Sequence, residues 1–173
     1  MKGVIIYNSK YGATEQYAKW LSESLEWPVY TPETLTYEAL EQAETVVVGS
    51  SVYVGHLRIK SWLENNMGRL ERKKLFFFVV MATPHSERPA QLRCAARNIP
   101  ANLLRNNNAF FLGGRLIKKR LSWVDRLLVK MGARAEKDPV KRANMELDFD
   151  RVQRTDLNGL LQAVVPKVVA EVY

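Results

Sequence analysis

The sequence predicts a three-layer α/β sandwich, in which helices cover both faces of a five-stranded parallel sheet. Short β-branched or wholly apolar runs alternate along the chain with amphipathic stretches of helical period. Polar, hydroxyl-rich segments follow three of these runs, as loops do at the carboxyl ends of parallel strands. With 173 residues, 47% of them hydrophobic, the chain has the size of a single domain spanning residues 1–173.

The first half of the chain supplies the first strand and helix units. Val4–Ile6 predicts a buried strand that ends at Asn8 and Ser9, and apolar residues recur every three or four positions in a helix at Ala13–Leu25. The remaining elements of this half are a short edge strand at Val29–Tyr30, a short helix at Tyr37–Gln42, a strand at Thr45–Gly49, a loop over Ser50–Leu57, and a helix from about Arg58 to Met67 that ends at Gly68.

The second half continues the alternation and then departs from it. The predicted elements are a strand at Leu75–Met81, a loop at Ala82–Pro89, a helix at Ala90–Asn98, a strand at Ala109–Leu112, and a C-terminal helix with Thr155 as N-cap, a kink at Pro166, and apolar residues from Leu157 to Val168. About forty residues separate the last strand from Thr155, which exceeds an ordinary loop. This excess indicates an inserted segment over about residues 115–150.

The inserted segment is strongly basic. Between Arg115 and Arg142 lie ten Lys or Arg and three Asp or Glu, in a chain of net charge +8. Apolar residues recur there with helical spacing at Ile117, Leu121, Val124, Leu128 and Met131, and Trp123 lies among them. A basic amphipathic helix could bind an anionic membrane surface, or it could pack on its own domain with its cations in solvent. Both interpretations stay open. Nucleic acid is disfavoured because no binding motif interleaves aromatic and basic residues.

Several classes of protein are disfavoured by composition. The single cysteine, Cys94, excludes an intramolecular disulfide, and with only His56 and His85 beside it no metal site is expected. The apolar start of the chain is too short for a secretory signal, and no run of about 18 apolar residues occurs. We therefore expect a cytoplasmic protein, peripheral on the inner face of the cell membrane if the basic segment binds lipid.

The segment between the first strand and the first helix has the chemistry that a phosphate needs. Its residues are Ser9, Lys10, Tyr11, Gly12, Ala13 and Thr14. Two hydroxyls and the amides of a helix N-terminus can donate hydrogen bonds to a phosphate, and Gly12 lets the backbone approach it. A capped helix start without a ligand is the simpler alternative. Walker and dinucleotide fingerprints are absent from the sequence, as are the carboxylates of a receiver domain.

Two later segments could hold a flat ring. The second loop comprises Ser50, Ser51, Val52, Tyr53, Val54 and Gly55, and the third comprises Ala82, Thr83, Pro84, His85 and Ser86. Tyr53 could stack on a heterocycle or be an ordinary loop aromatic, and the small polar residues of the third loop could follow the edge of the ring. His56 could transfer protons or only form hydrogen bonds within its loop.

At these residues the chain resembles the flavodoxin family, whose phosphate loop has the pattern matched by Ser9, Gly12 and Thr14. The resemblance covers nearly the whole chain and implies a flavodoxin-like fold that binds FMN. It places the phosphate at Ser9–Thr14, the isoalloxazine beside Ser50–Gly55 with Tyr53 against it, and the other ring edge at Ala82–Ser86. Within the family, two patterns resemble bacterial menaquinone-dependent protoporphyrinogen IX dehydrogenases. The first is Gly49-x-Ser51-x-x-x-Gly55-His56, and the second, which follows Gly113 at a distance, is Leu121-x-Trp123-x-Asp125-Arg126.

This resemblance implies an FMN oxidoreductase that takes electrons from protoporphyrinogen and gives them to a quinone, with His56 as the candidate catalytic residue. Two alternatives remain open, a soluble flavodoxin that shuttles electrons between proteins and a flavin-free binding or signalling module on the same fold. The isoelectric point near 9.7 counts against the shuttle, because its usual members are acidic.

Overall fold

A computed structural model describes residues 3–145 and 147–166, and its centre is a parallel sheet with helices on both faces. In chain order the elements of the sheet and its first helices are β1 (Gly3–Asn8), α1 (Ala13–Leu25), β2 (Val29–Tyr30), α2 (Tyr37–Gln42), β3 (Thr45–Tyr53), β4 (His56–Leu57), α3 (Lys60–Leu70), β5 (Lys74–Met81), α4 (Arg88–Asn98) and β6 (Ala109–Gly113). Five strands run parallel in the order β2-β1-β3-β5-β6, which confirms the predicted five-stranded sheet.

The sheet separates two apolar cores, because successive strand residues point to opposite faces. In β1, Ile6 packs in the core that also contains Leu63 of α3, whereas Ile5 packs in the core that contains Tyr17 of α1. All four side chains are fully buried. Burial on both faces explains why the strands read as continuous apolar runs rather than as alternating ones.

Beyond β6 the chain leaves the sheet before the last helix packs against it. The further elements are β7 (Arg115–Leu116), α5 (Trp123–Ala135), α6 (Pro139–Met145), β8 (Phe149–Asp150) and α7 (Asn158–Val164), with single 3₁₀ turns at Lys118–Arg120 and Arg154–Leu157. β7 pairs antiparallel with β8, and Arg115 lies opposite Asp150. The segment predicted to be inserted therefore begins and ends in one two-stranded ribbon.

The prediction of a loop over Ser50–Leu57 is wrong. β3 continues to Tyr53, and the chain then turns into β4, which pairs antiparallel with β3. The two turn residues, Val54 and Gly55, have φ of 49° and 76°, the left-handed conformation that tight two-residue hairpins need. A valine at such a position is unfavourable, and for that reason the sequence offers no ordinary turn signal here.

Two predicted helix ends also differ from the structure. α3 does not end at Gly68 but continues to Leu70, whose burial in the core outweighs the weak helix propensity of glycine. Thr155 lies in a 3₁₀ turn and caps no helix, and α7 ends at Val164 before Pro166 instead of being kinked by it. Val168, which was expected to continue this helix, lies outside the described residues.

The predicted apolar face of the inserted segment packs only in part, because Leu121 is buried and Leu128 is half-buried. α5 starts only at Trp123, after the hydroxyl of Ser122 accepts a hydrogen bond from the Asp125 amide, so Ile117 and Leu121 precede the helix. Within α5 the buried residues are Asp125 and Ala133, whereas Val124 and Met131 are 41% and 55% exposed. The polar contacts of Asp125 thus help to orient α5. No helix within residues 3–145 and 147–166 is both long and apolar enough to cross a bilayer.

Candidate cofactor site

The three predicted binding loops lie together at one edge of the sheet. The first and third follow β1 and β5, and the second comprises the end of β3 and the turn after it. These strands are neighbours, and the register pairs Asn8 with Ser50 and Ser51 with Val80. The chain goes from β1 to β2 on one side and then to β3 on the other, so the strand order reverses between β1 and β3. Ligands of open α/β sheets bind outside the strand ends at such a point.

The first loop, residues 9–14, has the features of an anion site. Gly12 has φ of 87° and a Cβ there would meet nothing within 4 Å, so glycine is needed for its backbone conformation and the space beside it is open. The Ser9 hydroxyl accepts a hydrogen bond of 3.1 Å from the Gly12 amide. Thr14 Oγ1 is buried and has no partner among the described residues. A buried hydroxyl without a partner is costly, and a bound phosphate oxygen would satisfy it.

In the second loop, some side chains stabilise the backbone and others are available to a ligand. The Ser50 hydroxyl accepts a hydrogen bond from the Ile59 amide at 3.3 Å and donates one to the Ser51 carbonyl at 3.1 Å. Val52 packs against the core. Ser51 Oγ, in contrast, is buried with no partner in the described part of the chain. This second unsatisfied hydroxyl lies on β3, the strand next to the first loop.

The third loop is held in place from two sides. Gln91 of α4 donates to the carbonyls of Thr83 and Pro84 at 3.3 and 3.2 Å, and Arg151, just after β8, donates to the Ala82 carbonyl at 3.2 Å. His85 starts a 3₁₀ turn and is exposed. The residue that follows the inserted segment thus contacts the third loop.

Asp125 of α5 also contacts the predicted binding loops, although the sequence did not predict it as a site residue. Its carboxylate accepts hydrogen bonds from the Lys10 ammonium at 2.7 Å, from the Tyr53 hydroxyl at 2.6 Å, and from the Tyr11 hydroxyl. The Lys10 ammonium also lies 3.7 Å from the centre of the Tyr53 ring. We call these four residues the Asp125 cluster. It joins the inserted segment to both the first and the second loop.

The charges in the Asp125 cluster stabilise each other. Burial alone would raise the pKa of Asp125, but the hydrogen bonds from Lys10, Tyr11 and Tyr53 outweigh it and lower the pKa to about 2. Burial alone would lower the pKa of Lys10, yet its bonds to Asp125 and Tyr53 raise it. The pair is therefore ionised throughout the neutral range.

Acid should lower the free energy of unfolding of the protein through Asp125. Because its pKa is lower in the folded chain than in the unfolded one, its contribution is present above about pH 4 and is lost as the pH falls towards 2. We expect Asp125→Asn to remove about 2 kcal/mol of this acid dependence. Urea unfolding at a series of pH values would measure it, and equal slopes for Asp125→Asn and the parent between pH 4 and 2 would contradict it.

The other titratable candidates lie outside the Asp125 cluster. His56 is exposed on β4, opposite Tyr53 in the hairpin, and its role in proton transfer stays a prediction. Burial raises the pKa of the Cys94 thiol, so this thiol is not activated as a nucleophile. Within the part of the chain that the structure describes, no three His, Cys, Asp or Glu residues are grouped so that they could hold a metal ion.

The fold and the arrangement of the loops are those of a flavodoxin-type protein, with features suited to an anion at the ends of β1 and β3. The family model described as the flavodoxin domain matches residues 4–142, and the chain belongs to this family. FMN is accordingly its cofactor, and its role is one of electron transfer or oxidoreduction. The buried, unsatisfied hydroxyls of Thr14 and Ser51 fit a ligand of this kind.

Known structures resemble the chain in fold at low sequence identity. A flavodoxin from the domain Archaea is 16% identical, with a TM-score of 0.47 over 69% of this chain and 87% of the other. The flavodoxin WrbA-like protein from Agrobacterium tumefaciens is 18% identical, with a TM-score of 0.46 over 72% and 87%. Rubredoxin oxygen:oxidoreductase from Desulfovibrio gigas is 16% identical, with a TM-score of 0.46 over 92% and 37%. At these identities the likeness is one of fold alone. The comparison with curated proteins gave no match.

Proposed function

We propose that this chain is an FMN oxidoreductase that oxidises a reduced organic substrate, with protoporphyrinogen IX as the candidate, and delivers the electrons to a quinone at an anionic membrane surface. The observation that carries the proposal is the outward face of α5. Trp123, Leu127 and Met131, four residues apart, are 78%, 48% and 55% exposed. They lie on the side of the helix away from buried Asp125. A helix that docks through one face and exposes apolar side chains on the other has a surface for a further partner.

The charges around this face favour anionic lipid as that partner. Exposed cations flank it at Lys119, Arg120, Arg126, Lys130 and Arg134. Such a helix can bury aromatic and aliphatic side chains at the headgroup boundary while its cations contact anionic headgroups. A quinone dissolved in the membrane would then be close to the edge of the sheet where FMN is expected.

The substrate would be held by the protein through charge and shape, while FMN accepts and passes on the electrons. The carboxylates of a porphyrinogen could contact Lys118 or Lys119 in the 3₁₀ turn. Arg115 is also close in sequence, but it is held by Asp150 at 2.7 Å and by the Gln16 side chain at 2.9 Å. Arg115 thus supports the β7 and β8 ribbon, and the lysines are the better candidates.

The reaction is tested by anaerobic oxidation of protoporphyrinogen IX, with a menaquinone analogue as acceptor and protein reconstituted with FMN. Quinone-dependent turnover would support the proposal. Retained flavin without turnover would favour the soluble electron shuttle or another substrate. Protein that retains no FMN after desalting would also contradict the assignment of the cofactor.

The membrane contact is tested by a pair of matched substitutions. We expect Trp123→Ser together with Leu127→Ser to lower co-sedimentation with phosphatidylglycerol vesicles by about tenfold, because both side chains would otherwise be buried in lipid. Leu92→Ser is the control, since Leu92 on α4 is 50% exposed but lies outside the inserted segment. Equal binding of the double variant and the control would contradict the proposal, as would equal binding to neutral and anionic vesicles.

A further inference from the structure

The Asp125 cluster connects parts of the chain that are distant in sequence. Asp125 is more than a hundred residues from Lys10 and Tyr11 and 72 residues from Tyr53. Its side chain is 5% exposed, and its two carboxylate oxygens are shared among three donors. A buried carboxylate with this many donors is held in a single position. The start of α5 is consequently fixed beside the first and second loops.

The cluster also fixes the ring that was predicted to stack on the flavin. The Tyr53 hydroxyl is bound by Asp125, and one face of the Tyr53 ring is covered by the Lys10 ammonium at 3.7 Å. A cation over a ring face adds to the restraint. Only the other face of the ring is left for a flat ligand.

The hydroxyls suited to hold FMN are separate from the donors that Asp125 uses. Asp125 binds Lys10, Tyr11 and Tyr53, whereas the buried hydroxyls without a partner belong to Thr14 and Ser51. The carboxylate therefore leaves these two hydroxyls to the ligand.

We propose that Asp125 is a positioning residue for the FMN site, which holds the inserted segment as a wall beside the cofactor and fixes the Tyr53 ring against it. This rests on FMN as the cofactor and on the predicted loops, but not on protoporphyrinogen or a quinone as reactants. It gives the inserted segment a function in cofactor binding that is independent of any membrane contact.

Binding of FMN and of riboflavin to the full chain tests this role. We expect Asp125→Ala to weaken the binding of both by about tenfold, because a lost wall affects the ring and not only the phosphate. We also expect iodide to quench the fluorescence of the bound flavin more strongly. Glu136→Gln is the matched control, since it removes a carboxylate from the same segment. The Glu136 carboxylate accepts a hydrogen bond from the Asp138 amide and lies outside the Asp125 cluster. It should leave both affinities unchanged.

The reduction potential distinguishes positioning from general loosening of the fold. Asp125→Asn keeps the shape but removes a negative charge, so we expect it to raise the potential of the bound flavin. Lys10→Met should lower the potential, and the double variant should return towards the parent value because the two charges are paired. A fold that had merely loosened would show no such opposite shifts.

Three results would overturn the proposal. Tighter FMN binding by Asp125→Asn would mean that the carboxylate competes with the phosphate for Lys10. Weaker binding of FMN with unchanged binding of riboflavin would mean that Asp125 acts through the phosphate alone. Unchanged affinity, quenching and potential in both Asp125 variants would mean that the contact has no role at the site. Absence of quinone-dependent turnover would contradict only the proposed reaction.

Discussion

Replacing Gly49 by alanine is expected to destabilise the protein by about 3 kcal/mol, the largest effect on stability predicted from this structure. Gly49 lies in β3, opposite Phe78 of β5, and an added Cβ would lie 2.0 Å from Cζ of that ring. Phe78 is fully buried, so its ring cannot move aside without disturbing the core. The midpoint of urea unfolding would measure the loss.

Gly68 provides the matched control for this substitution. It lies within α3, and a Cβ there would meet nothing within 4 Å. Gly68→Ala should raise the free energy of unfolding by up to about 1 kcal/mol, through better helix propensity. Adding Phe78→Leu to Gly49→Ala should restore part of the lost stability by making room for the methyl group. Similar unfolding midpoints for the two alanine variants would contradict the close packing at Gly49.

Replacing Thr14 by valine is expected to have the largest effect on cofactor binding, without loss of stability. The Thr14 hydroxyl is buried and unsatisfied in the flavin-free chain, so an isosteric apolar side chain should leave the free energy of unfolding equal or higher by about 1 kcal/mol. A hydrogen bond to a phosphate would be lost, and we expect FMN to bind about thirtyfold more weakly. Flavin titration and urea unfolding of the same flavin-free preparation would measure both effects.

The opposite pattern is expected at Thr36. Its hydroxyl caps α2 by accepting a hydrogen bond of 3.2 Å from the Ala39 amide. Thr36→Val should therefore cost about 1 kcal/mol of stability and leave FMN affinity unchanged. If Thr14→Val destabilised the chain while FMN affinity stayed the same, Thr14 would be an ordinary structural hydroxyl and not a phosphate ligand.

The sheet could be predicted from the sequence because its strands are buried on both faces. The apolar runs that start at Val4, Thr45 and Leu75 predict a parallel sheet that is covered by helices on both faces. The hairpin after Tyr53 could not be predicted in the same way. Its turn depends on Val54 adopting a positive φ, which the sequence does not signal.

The three binding segments were predicted because each lies at the carboxyl end of an apolar run, although β3 continues four residues beyond Gly49, to Tyr53. Asp125 was missed as a site residue, since its partners are distant in sequence and nothing about an aspartate after Trp123 indicates burial. One signal was present, because Ser122 and Asp125 have the spacing of a helix N-cap and its first turn. Counting Ser122 as a helix start would have placed Ile117 and Leu121 before α5 and changed which face was expected to pack.

The β7 and β8 ribbon has a consequence for how this protein could acquire or lose its inserted segment. Since Arg115 lies opposite Asp150, the chain returns to the place it left, and the segment between could be exchanged as one piece at the cost of the contacts of Asp125. A short hairpin turn after Leu116 could lead directly into Phe149, and Tyr17 would still bind the Gly113 carbonyl and the Asp156 carboxylate. Segments of other lengths could be grafted at this position, so that one electron-transfer domain could serve different partners without a change in its sheet.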